Sequence, residues 1–257
     1  MPRRGQLRCG EVPGVWQLTL QQPPHGYRFA LDAFLLADFV PAAAPGPLLD
    51  FGTGSGVVAL LLARRLPHMC IVGVELQASL AAVAGQNVRQ NGLGHRVDVV
   101  RADVRQVPSL CAAGACGTVV CNPPYRRVGH GRLNSDPEKA MARHELTLTL
   151  TQLLQAARHV LRRHGLLIMV YHPSRLAELC ARLEEMQLRP RRLRLVHATL
   201  QEPASLVLVE AVAHGRNALT VLPPLAICDP AGSYTAEMQA IYQMRNVECG
   251  MQHGRSG

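Results

Sequence analysis

From residue 47 onward the chain repeats one rhythm, a short apolar run followed by a stretch with apolar residues at helical spacing. The apolar runs predict strands over 47–51, 70–75, 97–101, 117–121, 165–171, 190–197 and 205–212. Between and around them the spacing predicts helices over 31–40, 56–66, 77–91, 147–163 and 174–187, with a further one at 235–245. The 77–91 helix carries Leu80 and Val83 on one side, just after Leu76, and stops at Asn91-Gly92, a natural left-handed cap. Strands alternating with helices imply right-handed βαβ units on a parallel sheet covered on both faces. The last two strands are joined by about seven residues, too few for a parallel crossover, so they are expected to form an antiparallel hairpin. The reading is an α/β chain with an N-terminal extension over 1–46 packing on the core, a main domain over 47–213 and a tail over 214–257, one structural domain in all. No apolar run approaches the ~20 residues that span a bilayer. The opening Met-Pro-Arg-Arg leads into no apolar segment, so no secretory signal is expected and a cytoplasmic location is.

The first strand runs into Asp50-Phe51-Gly52-Thr53-Gly54-Ser55-Gly56 and then at once into a helix. Such a loop at the carboxyl end of a strand is where doubly wound folds bind nucleotides. A dinucleotide fingerprint needs Gly or Ala at position 57, where Val57 stands, and Asp50 would repel a pyrophosphate. An acidic residue followed by Gly-x-Gly-x-Gly suits S-adenosylmethionine, which has no phosphates and carries cationic groups. Glu75 closes the second strand, placed to accept bonds from ribose hydroxyls. Asp103 follows the third, placed to accept from an adenine amino group.

The fourth strand enters Asn122-Pro123-Pro124-Tyr125. Two prolines stiffen the turn and donate no hydrogen bonds. An exocyclic amine is a poor nucleophile because its lone pair is delocalised. The Asn122 side-chain oxygen and the Pro123 carbonyl can accept its two hydrogens and localise that pair in a preorganised site. Tyr125 offers a flat face on which a base stacks. No general base is required, and no metal site is expected.

Together these motifs resemble the class I amino-methyltransferases, a Rossmann-like seven-stranded fold of order 3-2-1-4-5-7-6 whose last strand is antiparallel. The resemblance implies that Asp50, Gly52, Gly54 and Gly56 form the cofactor loop, with Glu75, Asp103 and Asn122 also at the cofactor and Asn122 to Tyr125 catalytic. The stretch Gly26 to Ala37 and the stretch Asn122 to Glu145 resemble the bacterial tRNA1(Val) (adenine(37)-N6)-methyltransferase family. The likeness runs from about residue 21 to 245 and includes Ile227-Cys228-Asp229, Tyr234-Thr235 and Ile241-Tyr242. It implies an S-adenosylmethionine-dependent enzyme that methylates N6 of adenine in tRNA. Other acceptors stay open: adenine in DNA, guanine-N2 in ribosomal RNA, or a release-factor glutamine. So does a non-catalytic RNA-binding protein of the same fold.

Charge supports an anionic partner. The net charge is +9, and residues 126–197 hold fourteen basic and six acidic residues. The segment 126–145 is long for a loop, which favours a functional role. Its Arg126, Arg127, Arg132 and Arg143 are the candidate RNA contacts. Arg189, Arg191, Arg192 and Arg194 form a second cluster, read either as RNA contacts or as charge guarding a sheet edge. Arg162, Arg163 and His164 are read as the end of a helix, complementing its dipole. With few aromatic residues, recognition through phosphates plus one flipped base fits better than base-by-base reading. The eight cysteines show no metal spacing and read as reduced core thiols. A monomer is expected.

Overall fold

The structure is a computed structural model that describes residues 18–21, 31–123, 148–216 and 218–243. Strands β1 (Leu48–Phe51), β2 (Ile71–Glu75), β3 (Val97–Arg101), β4 (Cys116–Cys121), β5 (Leu161–Tyr171), β6 (Leu188–His197) and β7 (Ala204–Ala213) form one sheet. Their order is β3-β2-β1-β4-β5-β7-β6, and β7 runs antiparallel to both neighbours. Two-residue strands β8 (Thr220–Val221) and β9 (Leu225–Ala226) pair in parallel with β6. The parallel core, its order and the closing hairpin agree with the sequence expectation.

Apolar layers cover both faces, which is why β1 and β4 are buried at every position. One layer holds α1 (Asp32–Phe39), α2 (Val57–Arg65), α3 (Ala78–Gln90) and α7 (Ala236–Gln243). The other holds α4 (Val107–Leu110), α5 (Leu150–Val160) and α6 (Leu176–Glu185). Helix α2 is apolar along seven consecutive residues and is buried along all of them. Helix α5 begins with a capping box, in which the Gln152 N–H donates to Thr149 Oγ1 and the Thr149 N–H to Gln152 Oε1. Helix α3 ends as expected, with Gly92 at φ +68°.

Three expectations are corrected. Helix α5 stops at Val160; Leu161 turns to extended geometry (φ −72°, ψ 125°), so Arg162, Arg163 and His164 belong to the start of β5. They are exposed there and cap no helix dipole. Strand β6 is not a bare edge, because β8 and β9 cover it. Its arginines are paired: Arg191 and Arg192 share the fully buried Glu210 of β7, Arg194 pairs with Glu237 and Arg189 with Glu184. Finally, only Cys116 and Cys121 of the described cysteines are core thiols; Cys70 is exposed, and Cys111, Cys180 and Cys228 are half-buried.

Candidate active site

Strand register brings the candidate residues together. Phe51 stands opposite Val74 on one side and Cys121 on the other, and Glu75 is opposite Arg101. One step beyond, Gly52, Glu75 and Asn122 therefore lie level on three adjacent strands, with Asp103 just past the end of β3. The carboxyl edge of the sheet thus brings Gly52, Glu75 and Asn122 into one row, with Asp103 beside it.

The loop after β1 is anchored by Gly52 and Thr53 N–H bonds to the Val74 carbonyl, at 2.9 and 3.1 Å. Gly52 and Gly54 have φ of +70° and +59°, and a Cβ at either would meet nothing within 4 Å. Among the described residues nothing fills the space at Gly52 and Gly54, and the backbone there can approach a ligand. Gly56 differs: its φ is +84°, and its bare Cα lies against Ala84 of α3.

Asp50 lies under the loop, 1% exposed. Thr53 Oγ1 donates to its Oδ2 at 2.6 Å. Gly73 makes room for that contact, since a Cβ there would sit 2.8 Å from the Thr53 methyl. Burial pushes the Asp50 carboxyl up to about 7, against hydrogen bonds from Thr53 and from the Ala59 N–H; Glu75 adds to the rise. Asp50 therefore shapes the loop from beneath. Cys121, buried beside it, has its thiol pushed well above the ordinary range by burial and then by Asp50.

Glu75 is 5% exposed. Its Oε2 accepts from the Gly54 N–H at 2.9 Å and its Oε1 from the Gln77 N–H at 2.8 Å. Each oxygen keeps a lone pair for a ribose hydroxyl. Asp103 accepts from the Arg105 N–H at 2.9 Å and from its guanidinium. Those bonds hold the Asp103 carboxyl below the usual carboxylate range. Asn122 and Pro123 are half-buried at the end of β4. Pro124, Tyr125, Arg126, Arg127, Arg132 and Arg143 lie outside the described residues.

One residue of the site had gone unnoticed in the sequence. Asn87 of α3 is fully buried. Its Nδ2 donates to the Ser55 carbonyl at 2.8 Å and to the Gln21 carbonyl at 3.0 Å, and its Oδ1 accepts from the Gln21 N–H at 2.7 Å. One turn on, Asn91 exchanges two bonds with the Thr19 backbone. Two asparagines thus fasten residues 18–21 to α3, and the first also fastens the glycine loop. The signal was available: a polar residue seven after Leu80, on the face that α3 buries.

This arrangement suits S-adenosylmethionine on its own terms. The open glycine cradle, the carboxylates at two successive strand ends and the absence of cations along the loop fit a cationic nucleoside better than a phosphorylated one.

The fold and this row of residues define a class I S-adenosylmethionine-dependent methyltransferase. The chain belongs to the methyltransferase small domain family, whose model matches residues 31–186, and within it to the bacterial tRNA1(Val) (adenine(37)-N6)-methyltransferase group. A protein of that name from Photobacterium profundum is 31% identical over 219 residues, covering 84% of this chain and 90% of the relative. Another from Shewanella sp. (strain MR-4) is 33% identical over 164 residues, covering 63% and 68%. Among solved structures, a predicted O-methyltransferase from Agrobacterium tumefaciens superposes with TM-score 0.67 at 22% identity, covering 84% of this chain and all of that one. A SAM-dependent methyltransferase from Aquifex aeolicus gives 0.52 at 16% identity, covering 71% and 89%.

Proposed function

We propose that this methyltransferase delivers its methyl group to the exocyclic N6 amine of an adenine in RNA. The first candidate RNA is a tRNA, at adenine 37 of a valine tRNA. The observation that carries the reading is the level placement of Asn122 beside the glycine loop and Glu75. The names of the relatives supply the acceptor.

In this reading the backbone of Gly52, Gly54 and Gly56 cradles the cofactor, with Asp50 bracing the loop through Thr53. Glu75 accepts the ribose hydroxyls and Asp103 the adenine amino group. When bound, S-adenosylmethionine supplies an electrophilic methyl group on a sulfonium. The Asn122 side-chain oxygen and the Pro123 carbonyl accept the two hydrogens of the target amine, which confines its lone pair to nitrogen. Pro124 stiffens the turn, Tyr125 stacks on the flipped base, and Arg126, Arg127, Arg132 and Arg143 meet RNA phosphates. The enzyme acts as a cytoplasmic monomer. Among the described residues no helix is long and apolar enough to cross a membrane, and no side-chain group could hold a metal ion.

The test offers labelled S-adenosylmethionine with total tRNA, ribosomal RNA, DNA and release factor in parallel, followed by nucleoside mass spectrometry. N6-methyladenosine in the tRNA arm is expected. Label only in DNA, in guanine or in protein would replace the acceptor. No transfer together with no cofactor binding would leave a non-catalytic protein of this fold.

A further inference from the structure

The basic third of the chain divides in the structure. The arginines of β6 are consumed by Glu184, Glu210 and Glu237. A second set lies at the amino edge of the sheet, opposite the candidate active site. Arg158 and His159 occupy the last turn of α5, Arg162, Arg163 and His164 open β5, and His214 and Arg216 follow β7.

Apart from Arg216, which follows His214 by two residues in the chain, these residues are linked into one patch. Arg158 contacts the His214 ring, and the His214 N–H donates to Gln187 at the start of β6. His159 bonds the Cys111 carbonyl, while the Gly114 N–H donates to the His159 carbonyl, which ties the turn before β4 to the same edge. Arg162 packs over Gly114. Desolvation, and then the neighbouring charges of Arg158, Arg163 and His164, hold the His214 ring below the usual histidine range. Both histidines have left-handed φ, +63° at His164 and +54° at His214, and mark the turns where β5 begins and β7 ends.

Among the described residues, no carboxylate pairs with Arg158, Arg162, Arg163 or Arg216, although seven ion pairs form elsewhere. Arg162, Arg163 and Arg216 are exposed. Since α5 ends before them, helix-dipole complementation does not account for Arg162 and Arg163. Guanidiniums without a carboxylate partner at one edge suit a polyanion whose charges are spaced along a chain.

We propose that Arg158, Arg162, Arg163 and Arg216 form a second contact for the substrate RNA, gripping its phosphate backbone at the sheet edge opposite the reacting base. This rests on the RNA reading above. The two edges are separated by the six residues of β4, about 20 Å at strand rise, which one folded RNA arm spans. The contact reads no sequence; it holds the body of the RNA while the target base is presented at the other edge.

The test is the double variant Arg162→Ala/Arg163→Ala, assayed on the tRNA that the wild type methylates. Losing two phosphate contacts should reduce the slope of log binding against log salt by about 1.4–1.8. Between 50 and 200 mM salt, wild-type affinity should therefore fall about tenfold more than that of the variant. KM for tRNA should rise at constant kcat, and cofactor affinity should stay at the wild-type value, showing an intact fold. Arg89→Ala, an exposed arginine at the end of α3, should leave slope and KM unchanged. Wild-type slope and KM in the double variant would overturn the second contact, as would an equal loss in Arg89→Ala. If the wild type methylates no RNA, it is the acceptor reading that fails instead.

Discussion

At the scale of single residues, Asp50 and Asn122 occupy one edge with opposite demands. Asp50 is kept from water and its carboxyl rises to about 7. Between about pH 4 and 7 the native chain therefore holds a proton that the unfolded chain has released, so the stability from this residue falls as pH rises through that window. The full difference is up to about 4 kcal/mol. Asp50→Asn keeps an acceptor for the Thr53 hydroxyl and removes the titration. Its stability should drop less than that of the wild type between pH 5 and pH 8, as followed by denaturant midpoints; parallel curves would mean Asp50 ionises freely. In the function proposed above, Asn122 works on the acceptor. Asn122→Ala should cost about 2.7–4 kcal/mol in the chemical step, by analogy with the loss of one oxyanion-hole donor. The loss should appear in single-turnover rates at saturating tRNA, with cofactor and RNA affinity little changed. A near-wild-type rate would remove Asn122 from the chemistry.

At the scale of elements, the glycine loop is held from two sides: from β2 by Glu75 and from α3 by Asn87. Asn87→Ala strands the Ser55 carbonyl and both Gln21 backbone groups, costing about 1–3 kcal/mol of stability. Because one of those groups belongs to the loop, S-adenosylmethionine affinity in calorimetry should fall too. Asn91→Ala frees the Thr19 side of the strap and a bond to the Asn87 carbonyl but leaves the loop's Ser55 bond in place, so it should reduce stability and spare affinity. Equal affinity in both variants would make Asn87 a tie for the strap alone. These elements were unevenly legible. Apart from the one-turn α4, which was not foreseen, strand and helix limits from 47 to 213 were read to within a few residues because buried parallel strands are unbroken apolar runs. The end of α5 was not, since Arg162, Arg163 and His164 prolong a polar stretch while the backbone has already turned extended at Leu161. Strands β8 and β9, at two residues each, are too short to show alternation.

At the scale of the molecule, charge is where linear reading fell short. The partner of Arg191 and Arg192 is Glu210, on the neighbouring strand and wholly buried, and no local spacing announces it. The strand-end candidates were legible for a contrasting reason: Gly52, Glu75 and Asn122 end or directly follow strands of one parallel sheet, so topology gathers them without long-range guesswork, whereas Asn87 lies inside α3 and was missed. Arg192 also bonds the Phe39 carbonyl and lies 4.7 Å from the Phe39 ring, so Glu210 indirectly docks α1. Glu210→Gln leaves two guanidiniums uncompensated and should destabilise the protein by about 3 kcal/mol, the lower end for a broken buried pair because both arginines are partly exposed. Equilibrium denaturation checks this, and a change below about 1 kcal/mol, the usual ceiling for an exposed pair, would show solvent screening the pair.

Helix α7 sets the order in which the chain can be finished. Its Met238 and Ile241 join the apolar layer of α1, and the Tyr242 ring lies 5.1 Å from that of Phe34. These partners come from nearly opposite ends of the sequence, among the most distant closures the fold makes. During synthesis on a ribosome, Phe34 emerges long before Tyr242 and waits for it while every strand of the sheet is made. The strands and the glycine loop can assemble in that interval, whereas the α1 surface that α7 covers stays open to chaperones until α7 itself has left the exit tunnel.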